Sequence, residues 1–155
     1  MSELRIGLIS DTHGLLRPQA IDALRGSDRI VHAGDIGSAA IIEALERIAP
    51  VTAIRGNNDV APWAANLRDD EIVAIDGTRI YVVHDVNAIA IDLRAQGIGV
   101  VVAGHSHRPL IREHDGITFV NPGSAGPRRF SLPVSVGELV VSASGVRARL
   151  VTLDI

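Results

Sequence analysis

Short aliphatic runs recur along the chain, and each of them ends close to a glycine or a polar residue. The runs are rich in valine and isoleucine and too short for most helices, which is typical of buried β-strands. We therefore predict strands in the following segments: 5–10, 29–34, 51–56, 79–84 and 99–104.

Three segments between or after these strands predict helices. The segment 18–26 begins at Pro18, which suits a first helical position, and 38–49 begins at Ser38, which suits an N-cap. A third helix is predicted over 87–96. Because strands and helices alternate in the first part of the chain, we expect parallel strands joined by right-handed crossovers.

In the second half of the chain, the predicted strands follow one another without helices between them. Asp115 and Gly116 form a typical hairpin turn, and a second hairpin is centred on 143–145. The least patterned segment, 61–70, is predicted to be a surface loop. The strands of these two predicted hairpins are 110–114, 117–121, 134–142 and 146–154.

Composition narrows the class of protein. The 155 residues suit one domain, predicted over 1–155, and aromatic residues are only 3% of the chain, so the core must be aliphatic. The net charge of -3 and the scattered Lys and Arg residues argue against binding to duplex nucleic acid. The chain has no cysteine, no signal-peptide pattern and no apolar run of the roughly 20 residues that span a bilayer, so we expect a cytoplasmic protein.

A metal-competent side chain follows each of the five aliphatic strands. The carboxyl ends of parallel strands share one sheet edge, so these side chains are expected to meet in one crevice. Seven ligands suit two cations with a shared carboxylate, and the mixture of imidazole, carboxylate and amide favours Mn, Fe, Zn, Co or Ni over Ca. The candidate ligands are Asp11, His13, Asp35, Asn57, His84, His105 and His107.

Local sequence around these residues adds further expectations. If the H-x-H segment is extended, the imidazoles of His105 and His107 point to the same side. We expect His32, which lies inside a strand, to be a packed residue rather than a direct ligand. Arg128 and Arg129 follow a glycine-rich turn that is either structural or a place where an arginine meets a phosphate.

Five ordered blocks resemble the signature of the calcineurin-like metallophosphoesterases. A later NPGS segment and the short chain resemble the small bacterial and archaeal phosphodiesterase branch of that family. Two positions depart from the usual pattern, since Asn58 stands where many members have histidine and Asp85 stands where glycine is usual. The blocks are ISDTHG (9–14), GDI (34–36), RGNND (55–59), VVHD (82–85) and GHSH (104–107).

The resemblance implies an α/β (α+β) fold, a four-layer α-β-β-α sandwich with two mixed β-sheets. It also implies two divalent cations, most often Mn, with Asp35 as the bridge between them. By resemblance, Asp11, His13, Asp35 and His107 would hold the first cation. Asp35, Asn57, His84 and His105 would hold the second.

The expected activity is hydrolysis of a small phosphodiester by water that the metal pair activates, with Asn58 contacting the phosphate. Asparagine cannot act as a general acid, which disfavours but does not exclude a phosphomonoesterase. A third alternative is a weakly active scaffold for protein contacts, because the fold also resembles the small retromer subunit. We expect no membrane partner, and a homo-oligomer stays open.

Overall fold

Two five-stranded mixed sheets pack face to face in the computed structural model, which describes residues 3–155. Two α-helices and two short 3-10 turns accompany them. The helices are α1 (Pro18–Leu24) and α2 (Ala39–Glu46), and the 3-10 turns are Pro62–Ala64 and Val86–Ala88. The strands are β1 (Leu4–Ile9), β2 (Arg29–His32), β3 (Val51–Ala53), β4 (Asp70–Ile75), β5 (Thr78–Val83), β6 (Val100–Val102), β7 (Leu110–His114), β8 (Ile117–Asn121), β9 (Ser135–Ser142) and β10 (Gly145–Thr152).

The first sheet has the order β10-β9-β1-β2-β3, with β1, β2 and β3 parallel as predicted and β9 antiparallel to both of its neighbours. Helices α1 and α2 cover its outer face. Leu24 of α1 and Leu45 of α2 pack in one cluster with Ile9 of β1 and Ile30 of β2. The close contact of α1 requires Gly7, because a Cβ there would lie 2.6 Å from Leu24 Cδ2.

The second sheet has the order β4-β5-β6-β8-β7, in which β5, β6 and β8 are parallel. The main core lies between the two sheets and is entirely aliphatic, as the composition predicts. Each fully buried side chain of this kind contributes about 1.5–3 kcal/mol relative to exposure. From the first sheet it contains Ile6, Leu8, Val31 and Ile54, and from the second Ile80, Val82, Val100, Val102 and Val120.

The predicted third helix over 87–96 is wrong. A 3-10 turn occupies Val86–Ala88, and the following chain is irregular and lies on the outer face of the second sheet. Ile89, Ile91 and Leu93 pack there in the cluster that contains Tyr81 of β5. Their spacing of two residues suits an extended chain that turns alternate side chains to one side, which a helix would not do.

The prediction of a surface loop over 61–70 is only partly right, and the hairpin that follows it was not predicted. Ala64 is buried, and β4 begins at Asp70. Asp76 and Gly77 then join β4 to β5 with φ values of 46° and 84°. Positive φ at both central residues is the mark of a type I′ turn, for which Asp-Gly is a strong signal.

The two mixed sheets, with helices on one outer face and an irregular segment on the other, confirm the predicted fold class. Both predicted hairpins of the second half are present as β7-β8 and β9-β10, although each pair lies in a different sheet. Across residues 3–155, none of the helices is both long enough and apolar enough to pass through a membrane.

Candidate metal centre

The carboxyl ends of strands from both sheets converge at one edge of the sandwich. The sequence argument expected a crevice along one parallel sheet, whereas the structure builds it between two. Asp11 follows β1 and Asp35 follows β2 in the first sheet, and His84 directly follows β5 in the second. The Nε2 atom of His84 lies 3.2 Å from Asp35 Oδ2 and 3.8 Å from Asp11 Oδ1.

The Oδ1 atom of Asp11 lies at the centre of this convergence. Three imidazole Nε2 atoms surround it, at 3.7 Å for His13, 3.8 Å for His84 and 3.4 Å for His107. Asp11 is fully buried, and its Oδ1 atom has no hydrogen-bond partner among the described residues. A buried carboxylate oxygen without a donor is costly unless a cation neutralises it.

The other oxygen of Asp11 is fully occupied by the protein. Its Oδ2 atom accepts hydrogen bonds from the Ser10 hydroxyl at 2.7 Å and from the His105 backbone N–H at 3.1 Å. The Ser124 hydroxyl also donates to the Asp11 carbonyl at 3.0 Å. These contacts fix the carboxylate so that Oδ1 faces the imidazoles.

Asp35 contributes the second carboxylate. Its Oδ2 atom lies 3.7 Å from His13 Nε2 as well as 3.2 Å from His84 Nε2, so it faces histidines from two different loops. Asn58 donates its backbone N–H to Oδ1 at 2.8 Å and its side-chain Nδ2–H to Oδ2 at 3.0 Å. Asn58 is therefore placed at the centre, where it orients Asp35.

The four histidines form two pairs. The rings of His13 and His107 are stacked with centroids 5.4 Å apart, and those of His84 and His105 meet edge to face at 5.2 Å. The side chain of His105 is 46% exposed, and its Nε2 atom lies 3.8 Å from Asp85 Oδ2. Asn57 lines the same cleft as His84, Asp85 and His105, and this cleft has a volume of about 280 Å³.

The carboxylates and imidazoles form two groups, and within each group the ligating atoms all lie within 4.8 Å of one another. One group is Asp11, His13 and His107, and the other is Asp11, Asp35 and His84. Asp11 therefore belongs to both groups, while Asp35 contacts members of both. The partly exposed His105 belongs to neither group and contacts the second one through its ring pair with His84.

The hydrogen bonding of His84 leaves a lone pair aimed at the carboxylates. Its Nδ1 atom donates to the Ala33 carbonyl at 2.7 Å, so Nε2 is an acceptor in the neutral ring. Two acceptors 3.2 Å apart, Nε2 and Asp35 Oδ2, require either a proton or a cation between them. Buried atoms without a hydrogen-bond partner within residues 3–155 are Asp11 Oδ1, His13 Nε2, His84 Nε2 and His107 Nδ1.

The electrostatics keep both carboxylates ionised. Burial alone would raise the pKa of Asp35, but a protonated His84 imidazole, which places the proton between the two acceptors, and the Asn58 N–H groups lower that pKa well below its ordinary value. Burial likewise opposes ionisation of Asp11, yet His13 and Ser10 bring its pKa below the ordinary value. The residues present thus fit a divalent cation: two anions and several imidazole lone pairs face one small space.

Backbone geometry at these residues differs from the prediction. The H-x-H segment is not extended, because His105 and His107 have φ values of 71° and 62°. Asp11, His13 and Asp35 also have positive φ, at 55°, 46° and 56°. Left-handed conformations of this kind cost non-glycine residues on the order of 1–3 kcal/mol each and cluster at functional sites.

Two glycines allow the loops to approach one another. A Cβ at Gly56 would overlap the backbone N and side chain of Asp35, and a Cβ at Gly104 would overlap the Ser10 hydroxyl and Asp11 Oδ2. Gly56 directly precedes the candidate ligand Asn57, and Gly104 directly precedes the candidate ligand His105. Any larger residue at either position would separate the two carboxylates from their partners.

Asp59 is a residue of the centre whose role the sequence argument missed. Its side chain is buried, and Oδ1 accepts from the Ile36 N–H at 3.0 Å and the Gly37 N–H at 3.1 Å. Its Oδ2 atom accepts from the Gly56 N–H at 2.9 Å. Asp59 therefore ties the loop after β2 to the loop after β3. Its position at the end of the G-N-N-D segment was the available signal.

His32 is packed rather than aimed at the centre, as predicted. Its Nδ1 atom accepts from the Gly34 N–H at 3.1 Å, and its Nε2 atom lies 3.0 Å from the Thr12 hydroxyl. Thr12 donates its hydrogen to the Ile36 carbonyl, so the Nε2–H of His32 must be the donor to Thr12. Burial lowers the pKa of His32 to about 4, so the ring is neutral.

Comparison with known proteins gives a consistent result. The sequence profile of the Calcineurin-like phosphoesterase superfamily domain matches residues 4–144. A probable metallophosphoesterase of Methanothermobacter thermautotrophicus is 33% identical in an alignment that covers 83% of this chain and 81% of the relative. Phosphodiesterase MJ0936 of Methanocaldococcus jannaschii is 27% identical, over 77% of this chain and 83% of that protein.

Among solved structures, Vps29 of Chaetomium thermophilum has a TM-score of 0.76 with this chain. The alignment covers 97% of this chain and 96% of that chain, at 20% sequence identity. Identity at this level shows a shared fold and does not decide between an enzyme and a scaffold.

Proposed function

Because this chain belongs to the calcineurin-like phosphoesterase superfamily, a family of metal-dependent hydrolases, we propose that it is a phosphodiesterase with a two-metal centre. One observation carries the proposal. The buried Oδ1 atom of Asp11 has three imidazole Nε2 atoms within 3.8 Å and no hydrogen-bond donor in the described chain. That arrangement is unfavourable for a bare protein and favourable around cations.

We assign the first cation to the stacked histidine pair and the second to the edge-to-face pair. The first set contains His13 and His107, and the second contains His84 and His105. Asp35 is proposed as the bridge, and the proximity of Asp11 to His84 places it close to the second set too. The complete proposed ligand set is Asp11, His13, Asp35, Asn57, His84, His105 and His107.

A metal pair in such a centre supplies an acidified water as the nucleophile and neutralises charge on the phosphoryl oxygens. The chain's own residues do the positioning. His84 is fixed by its Nδ1–H bond to the Ala33 carbonyl, and Asp35 is fixed by the two Asn58 hydrogen bonds. Mixed imidazole and carboxylate ligands suit Mn, Fe, Zn, Ni or Co better than Ca. Among these we propose Mn, because the family resemblance implies it.

Because Asn58 is not a proton donor for a leaving group, the site is expected to favour diesters that have a good leaving group. The Asn58 amide donates to Asp35 Oδ2 and can donate to a phosphoryl oxygen, but it has no proton to give to a leaving alkoxide. A monoester of an ordinary alcohol needs such a proton. The proposed substrates are therefore small phosphodiesters, and the net charge of -3 argues against a duplex nucleic-acid partner.

The test is hydrolysis of bis(p-nitrophenyl) phosphate by protein purified without chelators, with Mn added and then removed by EDTA. Asp35→Asn is expected to lose metal by elemental analysis and to lower turnover by at least about a hundredfold, because it removes the shared negative charge. Asp22→Asn is the matched control, since Asp22 is an exposed residue on α1 whose carboxylate pairs with the exposed Arg25.

Full metal content together with unchanged turnover in Asp35→Asn would contradict the bridge assignment. If the unaltered protein shows no turnover with any of the five divalent cations, the scaffold alternative gains and the phosphodiesterase proposal fails.

A further inference from the structure

A second cavity, of about 180 Å³, lies on the outer face of the second sheet beside the metal-facing cleft. Its walls are mainly apolar and include Val101, Ala103, Leu110 and Phe119. Its rim is polar. This combination of an apolar interior and a few polar groups is usual for sites that bind the organic part of a small molecule.

The cavity and the cleft share a wall. Asp85 and His105 line both, and the cleft also contains the proposed ligands Asn57 and His84. Gly104, which underlies Asp11, lines the cavity as well. A molecule with its phosphoryl group at the metal centre can therefore extend directly past His105 into the cavity.

The far wall of the cavity suits a flat aromatic group. Arg112 of β7 lies over the ring of Phe119 of β8, with its guanidinium carbon 5.1 Å from the ring centroid. Neither a salt bridge nor a hydrogen-bonded partner is found for the Arg112 guanidinium within residues 3–155. Arg112 thus offers a flat cationic surface that can stack on an aromatic ring and attract an anionic diester.

We propose that this cavity holds the aromatic ester group of the substrate that stays on phosphorus after cleavage. The inference rests on the proposed function and deepens it, because it names the substrate class: phosphodiesters in which the retained group contains an aromatic ring. Asp85 and His105 form the passage between the phosphoryl position and the ring.

The test compares two diesters with the same leaving group. Methyl p-nitrophenyl phosphate and bis(p-nitrophenyl) phosphate both release p-nitrophenolate, so their kcat/KM ratio isolates the effect of a retained methyl or aryl group. In Leu110→Ala the preference for the aryl substrate is expected to fall about tenfold, the size of effect that a few apolar contacts produce. The methyl substrate is expected to stay within about twofold.

Leu110 suits this test because it is half-exposed on an edge strand, so its truncation removes little core packing. Leu93→Ala is the matched control. Leu93 lines a different cavity on the same outer face, one that contains neither Asp85 nor His105. The proposal would be overturned if the ratio stayed unchanged in Leu110→Ala, for example because both substrates lost activity equally. It would also be overturned if Leu93→Ala changed the ratio by the same factor.

A binding measurement separates this inference from the proposed activity. Phenyl methylphosphonate and methyl methylphosphonate carry the same charge and differ only in the ring. In zinc-loaded protein, the phenyl compound alone is expected to shift the NMR amide signals of Val101 and Phe119. Such shifts without any turnover would leave the cavity assignment standing while the phosphodiesterase proposal fails. Turnover without these shifts would refute the cavity assignment alone.

Discussion

Replacing Asp59 with asparagine tests how the loop after β2, which carries Asp35, is held to the loop after β3. The Asp59 carboxylate accepts hydrogen bonds from three backbone N–H groups, those of Ile36, Gly37 and Gly56. Asparagine keeps one acceptor oxygen, which can still serve Ile36 and Gly37. Its amide nitrogen then faces the Gly56 N–H, so two donors meet in a buried place.

The expected cost follows from those contacts. A hydrogen bond to a charged acceptor contributes about 1.5–3 kcal/mol, and an unsatisfied buried N–H costs about 1–3 kcal/mol. These two effects overlap at Gly56, so we expect Asp59→Asn to lower the free energy of unfolding by about 2–4 kcal/mol. Gly56 lies against Asp35, so the affinity for divalent cations is expected to fall as well.

Urea denaturation at pH 7, followed by circular dichroism, measures the stability change, and zinc titration measures the affinity. Asp22→Asn serves again as control, because Asp22 is exposed and its exchange is expected to change stability by less than about 0.5 kcal/mol. If Asp59→Asn lowers the free energy of unfolding by less than about 1 kcal/mol and leaves the zinc affinity unchanged, Asp59 does not hold the two loops together.

Two further predictions concern His32 and Asn58. The pKa of His32 is about 4 in the folded protein against 6.5 in the unfolded chain, so its contribution is complete above pH 6.5 and is lost as the pH falls towards 4. Urea titrations of the native protein and of His32→Gln measure this effect, and the difference in their free energies of unfolding should shrink by about 3 kcal/mol between pH 6.5 and pH 4. A difference that stays constant with pH would contradict the assignment of a neutral ring. Asn58→His adds a proton donor, so hydrolysis of diphenyl phosphate should rise about tenfold relative to bis(p-nitrophenyl) phosphate. Equal changes for both diesters would argue against leaving-group protonation at this position.

The central strands of the sheets, such as β5 and β6, were predictable because they bury both faces. A strand buried on both sides must be aliphatic along its whole length, and such runs are visible without any knowledge of the fold. The third helix was mispredicted for a related reason. The segment 87–96 has alternating apolar residues, Ile89, Ile91 and Leu93, and they pack against the outer face of the second sheet beside Tyr81 and Val83, which only the folded sheet provides.

The identities of most candidate ligands were also predictable, whereas their geometry was not. Polar residues after aliphatic strands mark loop positions, and the structure brings five of these side chains together, namely Asp11, His13, Asp35, His84 and His107. The structural role of Asp59 was hidden because it depends on contact between two loops that lie 20 or so residues apart in the chain. No local pattern reports such a contact.

The left-handed backbone at the candidate ligands has a physical reason that links folding to binding. Residues other than glycine adopt it only where the surrounding structure compels them, and here that structure consists of bonds between loops. The Asp11 N–H donates to the Gly34 carbonyl at 3.0 Å, and the His13 N–H donates to the Asp35 carbonyl at 2.9 Å. Each bond joins the loop after β1 to the loop after β2. These bonds between the loops offset the cost of the unfavourable conformation and hold the carboxylates towards the imidazoles. The loops that carry the candidate ligands are thus fixed by one another, which keeps the carboxylates and the imidazoles together in one small space.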